Sequence, residues 1–356
     1  MHTIPEMSGP YVRKEKSVTR TMTLVMLALV PATAYGLYLY GWPAIILFTL
    51  AIASALLFEI LSLLIAKKPV VRFVSDGSAM LTAWLLAISL PPWAPWWVAV
   101  LGSAIAIIIG KHVFGGLGQN VFNPAMVGRV VLLLSFPLEM TAFVNPLPLF
   151  SADAPGFLQG IQIVFGGMSI DAYTGATVLD SVKVAVGHGG VVDDGLVGGR
   201  NLGLWLAGNN AGSMAEGADV LLLIGGIFLI FTRVIRWFIP VSTLLSLALI
   251  ATVFNWIDPA AYPDATIHLF TGSALLGAFF IATDPVTSPT SPKGQLFFGA
   301  SLGVLIYLIR TWAQYPEGMS FAILLMNAVT PLINRYMRPR IFGRTNKGDP
   351  LGLSRQ

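Results

Sequence analysis

The sequence predicts an all-α polytopic membrane protein: about ten transmembrane helices in two inverted five-helix repeats, with an outer-face insert between them. Three observations carry that expectation. The 356 residues are 55% hydrophobic and only 11% charged, with a mean hydropathy of +0.76, whereas a soluble domain is roughly 25% charged. Several apolar runs approach the ~20 residues that cross a bilayer core. One short segment also recurs in both halves of the chain, at the third span of each. Too few charges remain to cover a water-facing surface, which excludes a soluble fold, a nucleic-acid binder and a disordered scaffold.

Spans are expected at 21–40, 43–66, 77–91, 96–111, 124–137, 219–233, 237–257, 265–283, 295–310 and 318–334. Runs 77–91 and 124–137 are short and end at Pro/Gly-rich stretches, as broken or re-entrant helices do. The pI of about 9.3 reflects basic residues that flank spans. With the N-terminus inside, 17 of the 21 Lys and Arg fall on the inner side, among them Arg13, Lys14, Lys16, Lys67, Lys68, Arg233, Lys293 and Arg335. Only Lys183, Arg200 and Arg310 fall outside, and Arg129 lies within a span. The positive-inside bias therefore puts both termini in the cytoplasm. Basic residues, an apolar run from Thr21 and Ala32-Thr33-Ala34 also resemble a cleavable signal peptide. Removing that segment would leave an odd span count and upset the charge balance, so it is read as span one.

The expected organisation is a cytoplasmic tail (1–20), a first five-helix repeat (21–136), a periplasmic insert (137–218), a second five-helix repeat (219–334) and a basic cytoplasmic tail (335–356). The insert is rich in acids and in glycine, with Gly187-His188-Gly189-Gly190 and Gly198-Gly199 suggesting compact turns rather than helix. Its apolar content argues for an ordered body. The repeat rests on Gly77-Ser78-Ala79-Met80-Leu81-Thr82-Ala83 and Gly272-Ser273-Ala274-Leu275-Leu276-Gly277-Ala278, which align without gaps, with Ala87 and Ala282 continuing at the same offset. Five is an odd number of crossings, so the second group runs in the opposite sense. Lys111 and Arg310 then occupy near-equivalent places, which gives the outer Arg310 a structural duty.

Cysteine is absent, which removes disulfides, thiolate metal sites and iron–sulfur clusters from this chain. The four histidines, at 2, 112, 188 and 268, are not at paired ligand spacing, so no metal site is expected. Glu59 and Arg129 are ionisable residues inside spans, which marks them as functional candidates. Each can equally sit near the inner boundary and snorkel. The turn Gly115-Gly116-Leu117-Gly118 with Asn123-Pro124 reads either as a tight loop needing left-handed glycines or as a helix break whose backbone binds an ion, flavin or quinone. Asp284, in Thr283-Asp284-Pro285, reads first as an Asx-Pro turn and second as a ligand for a cation or a ribityl chain. No glycine fingerprint follows a strand, so NAD is expected on another subunit.

Asp171-Ala172-Tyr173-Thr174-Gly175-Ala176-Thr177 puts a hydroxyl beside small residues, open to a modifying enzyme and roomy enough for a bulky adduct. A threonine hydroxyl is a poor nucleophile unaided, so it would be a substrate of such an enzyme and not a catalyst. The segment resembles the Asp-x-x-Ser/Thr-Gly-Ala-Thr pattern at which a flavin transferase attaches FMN through its phosphate. With the 111–126 segment and Ala282-Thr283-Asp284-Pro285-Val286-Thr287-Ser288-Pro289, the chain resembles the D-subunit family of the Rnf complex, the ion-translocating ferredoxin:NAD oxidoreductase. That family is homologous to the B-subunit family of the sodium-translocating NADH:quinone reductase, over which the short N-terminal tail favours the Rnf member.

The resemblance implies covalent FMN on Thr177, with Asp171, Thr174, Gly175 and Ala176 read by the flavin transferase. It also implies noncovalent riboflavin within the membrane portion, for which no ligands are legible. The implied function is a redox-carrier subunit of a bacterial inner-membrane complex, placed among iron–sulfur and flavin subunits. It would relay electrons between ferredoxin and NAD and be coupled to Na⁺ or H⁺ movement. The rival expectations are a subunit of the quinone reductase itself and a solute channel or transporter; a pure channel has no use for a flavin-attachment motif.

Overall fold

The computed structural model describes residues 17–166, 175–188, 190, 192, 208, 211–313, 315 and 317–338. Among them all regular structure is helical, and no extended strand occurs. The first element, α1 (Val18–Ile65), has 48 residues, which at 1.5 Å per residue would be about 72 Å long, far more than the ~30 Å hydrocarbon core. Gly41 divides it: its φ of 70° and ψ of −156° end one limb and start the next, in a conformation that L side chains rarely adopt. The boundary lies where the sequence separates the first two spans.

Four elements complete the first half. These are α2 (Val70–Val74), α3 (Ser78–Ser89), α4 (Trp96–Ala104, continuing as a π-helix over Ile105–His112) and α5 (Pro124–Ser135). Helices α3 and α5 have 12 residues each, or about 18 Å, so each stops well inside a bilayer's thickness, as their Pro/Gly-rich flanks predict. Asn123 caps α5 by accepting from the Met126 amide at 3.3 Å, and Pro124 occupies the first turn, where its missing N–H costs nothing.

The insert is more helical than its glycines suggest. It contains α6 (Pro137–Thr141), α7 (Phe157–Gly166) and α8 (Val178–Gly187). The expected turn at Gly187-His188 terminates α8, while Gly189 and Gly198-Gly199 lie outside the described residues.

The second half runs through α9 (Asp219–Phe231), α10 (Phe238–Ile257), α11 (Ala265–Phe270), α12 (Ala274–Leu276, continuing as a π-helix over Gly277–Ile281), α13 (Pro292–Trp312) and α14 (Met319–Tyr336). Helices α1, α10 and α13 are long and apolar enough to cross a membrane. The continuous span expected at 265–283 is instead broken, because Gly272 takes φ +69° between α11 and α12. Helices α10 and α13 pack at close range. A Cβ on Gly299 would lie 2.0 Å from Ser242 Oγ, and one on Gly303 2.1 Å from Ser246 Oγ. This small-residue spacing is how membrane helices gain contact without a hydrophobic driving force.

One buried apolar cluster joins both halves, from Leu29, Tyr40 and Trp93 to Phe279, Phe298 and Tyr307. The Trp93 indole donates to the Tyr40 carbonyl at 2.9 Å, which satisfies its one polar atom inside that core.

Candidate functional site

Thr177 is the N-cap of α8. Its backbone is extended, and its Oγ1 accepts from the Asp180 amide at 3.2 Å, pairing one of the donors a helix N-terminus leaves free. The residues before it are held to the insert. The Gly175 amide donates to the Phe143 carbonyl at 2.9 Å, and a Cβ on Gly175 would lie 2.6 Å from Asn145 Oδ1. A larger residue at 175 would have to displace the Asn145 side chain. Thr177 and Gly175 are half-buried and Ala176 is exposed; Asp171 and Thr174 lie outside the described residues. Thr177 borders a cavity together with Phe143, Phe270, Thr271, Gly272, Glu216 and Glu317.

Behind that cavity is a buried charged cluster. Arg129 is 5% exposed and lies inside α5. It does not snorkel: its guanidinium pairs with Glu317 and donates to Ser273 Oγ at 3.3 Å. The Ser273 amide donates to the same carboxylate at 2.7 Å, so the cluster ties the first half to the break between α11 and α12. The nearby Arg310 donates to the carbonyls of His268 at 2.6 Å and Thr271 at 3.1 Å. It thereby caps the C-terminal end of α11, which is the structural duty expected of it. Glu216 accepts from Ser213 Oγ at 2.9 Å. Burial and the charge of Glu317 raise its pKa to about 7, against the opposing pull of Arg129 and Arg310. Neither Glu216 nor Glu317 stands out in the sequence; each sits just before a helix, where an acid reads as ordinary first-turn chemistry.

A second buried cluster joins α1, the start of α3 and the end of the π-helix that continues α4. Glu59 is 1% exposed, and the snorkelling expected of it does not occur. Its Oε1 meets Lys111 Nζ at 2.7 Å and its Oε2 meets His112 Nε2 at 2.9 Å, while Lys111 also donates to Ser78 Oγ at 2.8 Å. Lys111, Ser78, Asn120, Asn123, Phe280 and Asp284 border a cavity between the two halves. Asn120 Oδ1 is buried there without a partner. Asp284 forms the expected turn, accepting from the Val286 amide at 3.1 Å and Thr287 Oγ1 at 3.2 Å. Burial raises its pKa, against those two hydrogen bonds. Gly115, Gly116 and Gly118 have φ of 112°, 105° and 89°, so the tight-loop reading holds. The same loop also contributes Leu117 to the cavity wall.

Residues 6–343 match the model of the NQR2, RnfD, RnfE family. The D subunit of the ion-translocating oxidoreductase complex of Halorhodospira halophila is 49% identical over 350 residues, covering 98% of each chain. Its namesake from Stutzerimonas stutzeri is 49% identical over 336 residues, covering 94% of this chain and 95% of its own. The one from Escherichia coli O157:H7 is 43% identical over 348 residues, covering 94% and 97%.

Proposed function

We propose, from the premise that the chain belongs to the NQR2, RnfD, RnfE family, that it is the flavin-carrying membrane subunit of an Rnf-type complex. In this reading it relays electrons between ferredoxin and NAD through iron–sulfur and flavin partner subunits, coupled to Na⁺ or H⁺ translocation. It resides in the bacterial inner membrane with both termini cytoplasmic and Thr177 periplasmic. The two halves are inverted repeats; in support, Gly77 (φ 80°) and Gly272 (φ 69°) take the same left-handed conformation before their aligned serines.

The observation that carries the reading is Thr177 at the start of a 10-residue helix, half-buried and bordering a cavity. A phosphoester there places its negative charge at the positive end of α8, beside amides with no intrahelical partner. Gly175 and the exposed Ala176 leave a flavin transferase room to approach. FMN, when bound, supplies electron transfer, and the protein's part is to position and tune it. The inter-half cavity, with Lys111, Asn123 and the unpartnered Asn120 Oδ1, is the candidate seat for a noncovalent riboflavin. Lys111 and Asn120 would meet its polar groups, and Phe280 and Leu85 would cover its ring.

The test is a denaturing gel under ultraviolet light, with the chain co-expressed with a flavin transferase, beside Thr177→Ala and a strain lacking the transferase. A fluorescent band confined to the unmodified chain supports the reading. No band, from a strain that flavinylates a control protein, overturns it and favours a solute channel or transporter, which the inter-half cavity also suits.

A further inference from the structure

The insert rests on the membrane-crossing part of the chain through α7, and the faces of that helix are sorted by polarity. Gly160, Ile163 and Val164 are its buried stripe. A Cβ on Gly160 would lie 2.9 Å from Trp42 Cβ and 3.3 Å from Pro43 N, so α7 sits directly against α1 just past the Gly41 break. At about 100° per residue, Phe157, Leu158, Ile161 and Phe165 fall on the adjoining face, and the exposed Gln159 and Gln162 on the side away from α1. Three of those apolar side chains are uncovered: Phe157 is 51%, Leu158 73% and Phe165 50% exposed. A continuous apolar strip of this kind marks a contact surface.

Two ring contacts fix how α7 lies. Phe157 meets Trp42 edge to face with centroids 5.2 Å apart, and Phe165 stacks on Trp96 at 6.1 Å. Trp42 opens the second limb of α1 and Trp96 opens α4; in the orientation proposed above, both starts are on the outer side. From Phe157 to Phe165 is about 12 Å along the axis. Helix α7 therefore bridges the starts of two parallel spans, along the membrane surface rather than across it. Tryptophan settles at the boundary between lipid and water, and a helix with α7's division of faces lies in that boundary, its apolar side toward the acyl chains.

Below α7, the second limb of α1 carries a groove. Trp42, Ile45, Ile46, Thr49, Leu50 and Ala53 line it at the spacing of one helix face, with Phe157 and Phe165 at its head. Its one hydroxyl, Thr49 Oγ1, donates to the Ile45 carbonyl of the same helix at 2.8 Å, which leaves no hydroxyl for an occupant. From Trp42 to Ala53 is about 16 Å along the axis, or half of the ~30 Å hydrocarbon core, the depth of one leaflet. A partner's crossing helix needs the whole thickness and would run into α7 at the head of the groove, whereas an acyl chain ends there. The insert supplies no Lys or Arg from 137 to 182, so it offers no cation to select an anionic headgroup.

We infer that α7 is an interfacial helix and that the groove beneath it seats one acyl chain of a zwitterionic phospholipid from the outer leaflet. Held this way, the insert that carries Thr177 keeps a fixed height at the bilayer surface. The inference uses the membrane crossing of α1 and not the flavin reading of Thr177.

Two measurements on the full chain in phosphatidylcholine vesicles test it. The chain has no cysteine, so nitroxides are placed singly through Leu158→Cys, Gln159→Cys, Ile161→Cys and Gln162→Cys. Oxygen should reach the labels at 158 and 161 more readily than a water-soluble nickel chelate does, with the reverse at 159 and 162. For the groove, trace phosphatidylcholine with a diazirine in its acyl chain is chased with unlabelled lipid, and the adducts are mapped by mass spectrometry. Adducts on α7 and the groove wall should exceed several-fold those at Leu249, an exposed residue of the crossing helix α10. They should be lost in Ala53→Trp, which fills the groove from an exposed position, and be unchanged by added phosphatidylglycerol. Chelate access at all four α7 positions overturns the interfacial helix, and groove adducts no more frequent than those at Leu249, or indifferent to Ala53→Trp, overturn the acyl seat. Adducts that rise with phosphatidylglycerol overturn the zwitterionic headgroup. Labels at 158 and 161 shielded from both reagents in the assembled complex would make a partner subunit the occupant and overturn the lipid seat.

Discussion

Glu59→Leu isolates a buried positive charge. Lys111 and Glu59 have side chains 3% and 1% exposed and meet at 2.7 Å. Removing one partner of a buried pair costs about 3–5 kcal/mol, because the other charge is left uncompensated. Lys111 retains Ser78 Oγ at 2.8 Å, which places the cost near the lower end, about 3 kcal/mol. At about 2.1 cal/mol/K of unfolding entropy per residue, a 356-residue chain shifts by roughly 1.3 °C per kcal/mol, so the unfolding temperature in detergent should fall by roughly 4 °C. Replacing both residues, as Glu59→Leu with Lys111→Met, removes the stranded charge and should restore stability to within about 1 kcal/mol. The assay is thermal unfolding of the four members of this double-mutant cycle, followed by tryptophan fluorescence. A coupling below about 0.5 kcal/mol, the limit for independent sites, would refute the reasoning that Glu59 neutralises Lys111 inside the protein.

Three further outcomes are expected. Gly272→Ala meets both a left-handed φ and Arg310 Nη2 at 2.6 Å, whereas a Cβ on Gly77 touches nothing closer than 3.4 Å. Gly77→Ala should therefore cost about 1–2 kcal/mol and Gly272→Ala more, as read by the unfolding temperatures of the pair. Glu216 holds its proton in the folded chain up to about pH 7, whereas an unfolded glutamate releases it near 4.3. Stability should thus fall as pH rises through that window and level off above it, and Glu216→Gln should flatten the slope in unfolding curves taken across it. Thr177→Ala should lose about 1 kcal/mol of cap stabilisation, while Thr177→Ser keeps the cap; equal unfolding temperatures for the two would show that the hydroxyl caps nothing.

The long apolar spans and their boundaries are legible in the sequence because lipid imposes one requirement, about 20 apolar residues per crossing. Even the Gly41 break falls between two expected spans. The break at Gly272 escapes the hydropathy pattern although its signal is present: the aligned Gly77-Ser78 stands at a helix start, and the same local geometry recurs. The π-helical turns at 105–112 and 277–281 have no sequence signature, since they depend on packing against neighbouring helices. Helix α8 is announced by Thr177 followed three residues later by Asp180, a capping pattern outweighed by the surrounding glycines. The pairings of Arg129 with Glu317 and of Glu59 with Lys111 join residues 188 and 52 positions apart. Composition flags such charges as costly in lipid, but only the fold reveals their partners.

The most direct measurement is mass spectrometry of the proteolytic fragment that contains Thr177, from the chain purified out of its native membrane. Covalent flavin at Thr177 predicts a fragment heavier by one FMN less water, with fragmentation placing the added mass on residue 177 and the Thr177→Ala fragment unmodified. An unmodified Thr177 in a membrane whose other flavinylated proteins carry their cofactor would contradict the central claim.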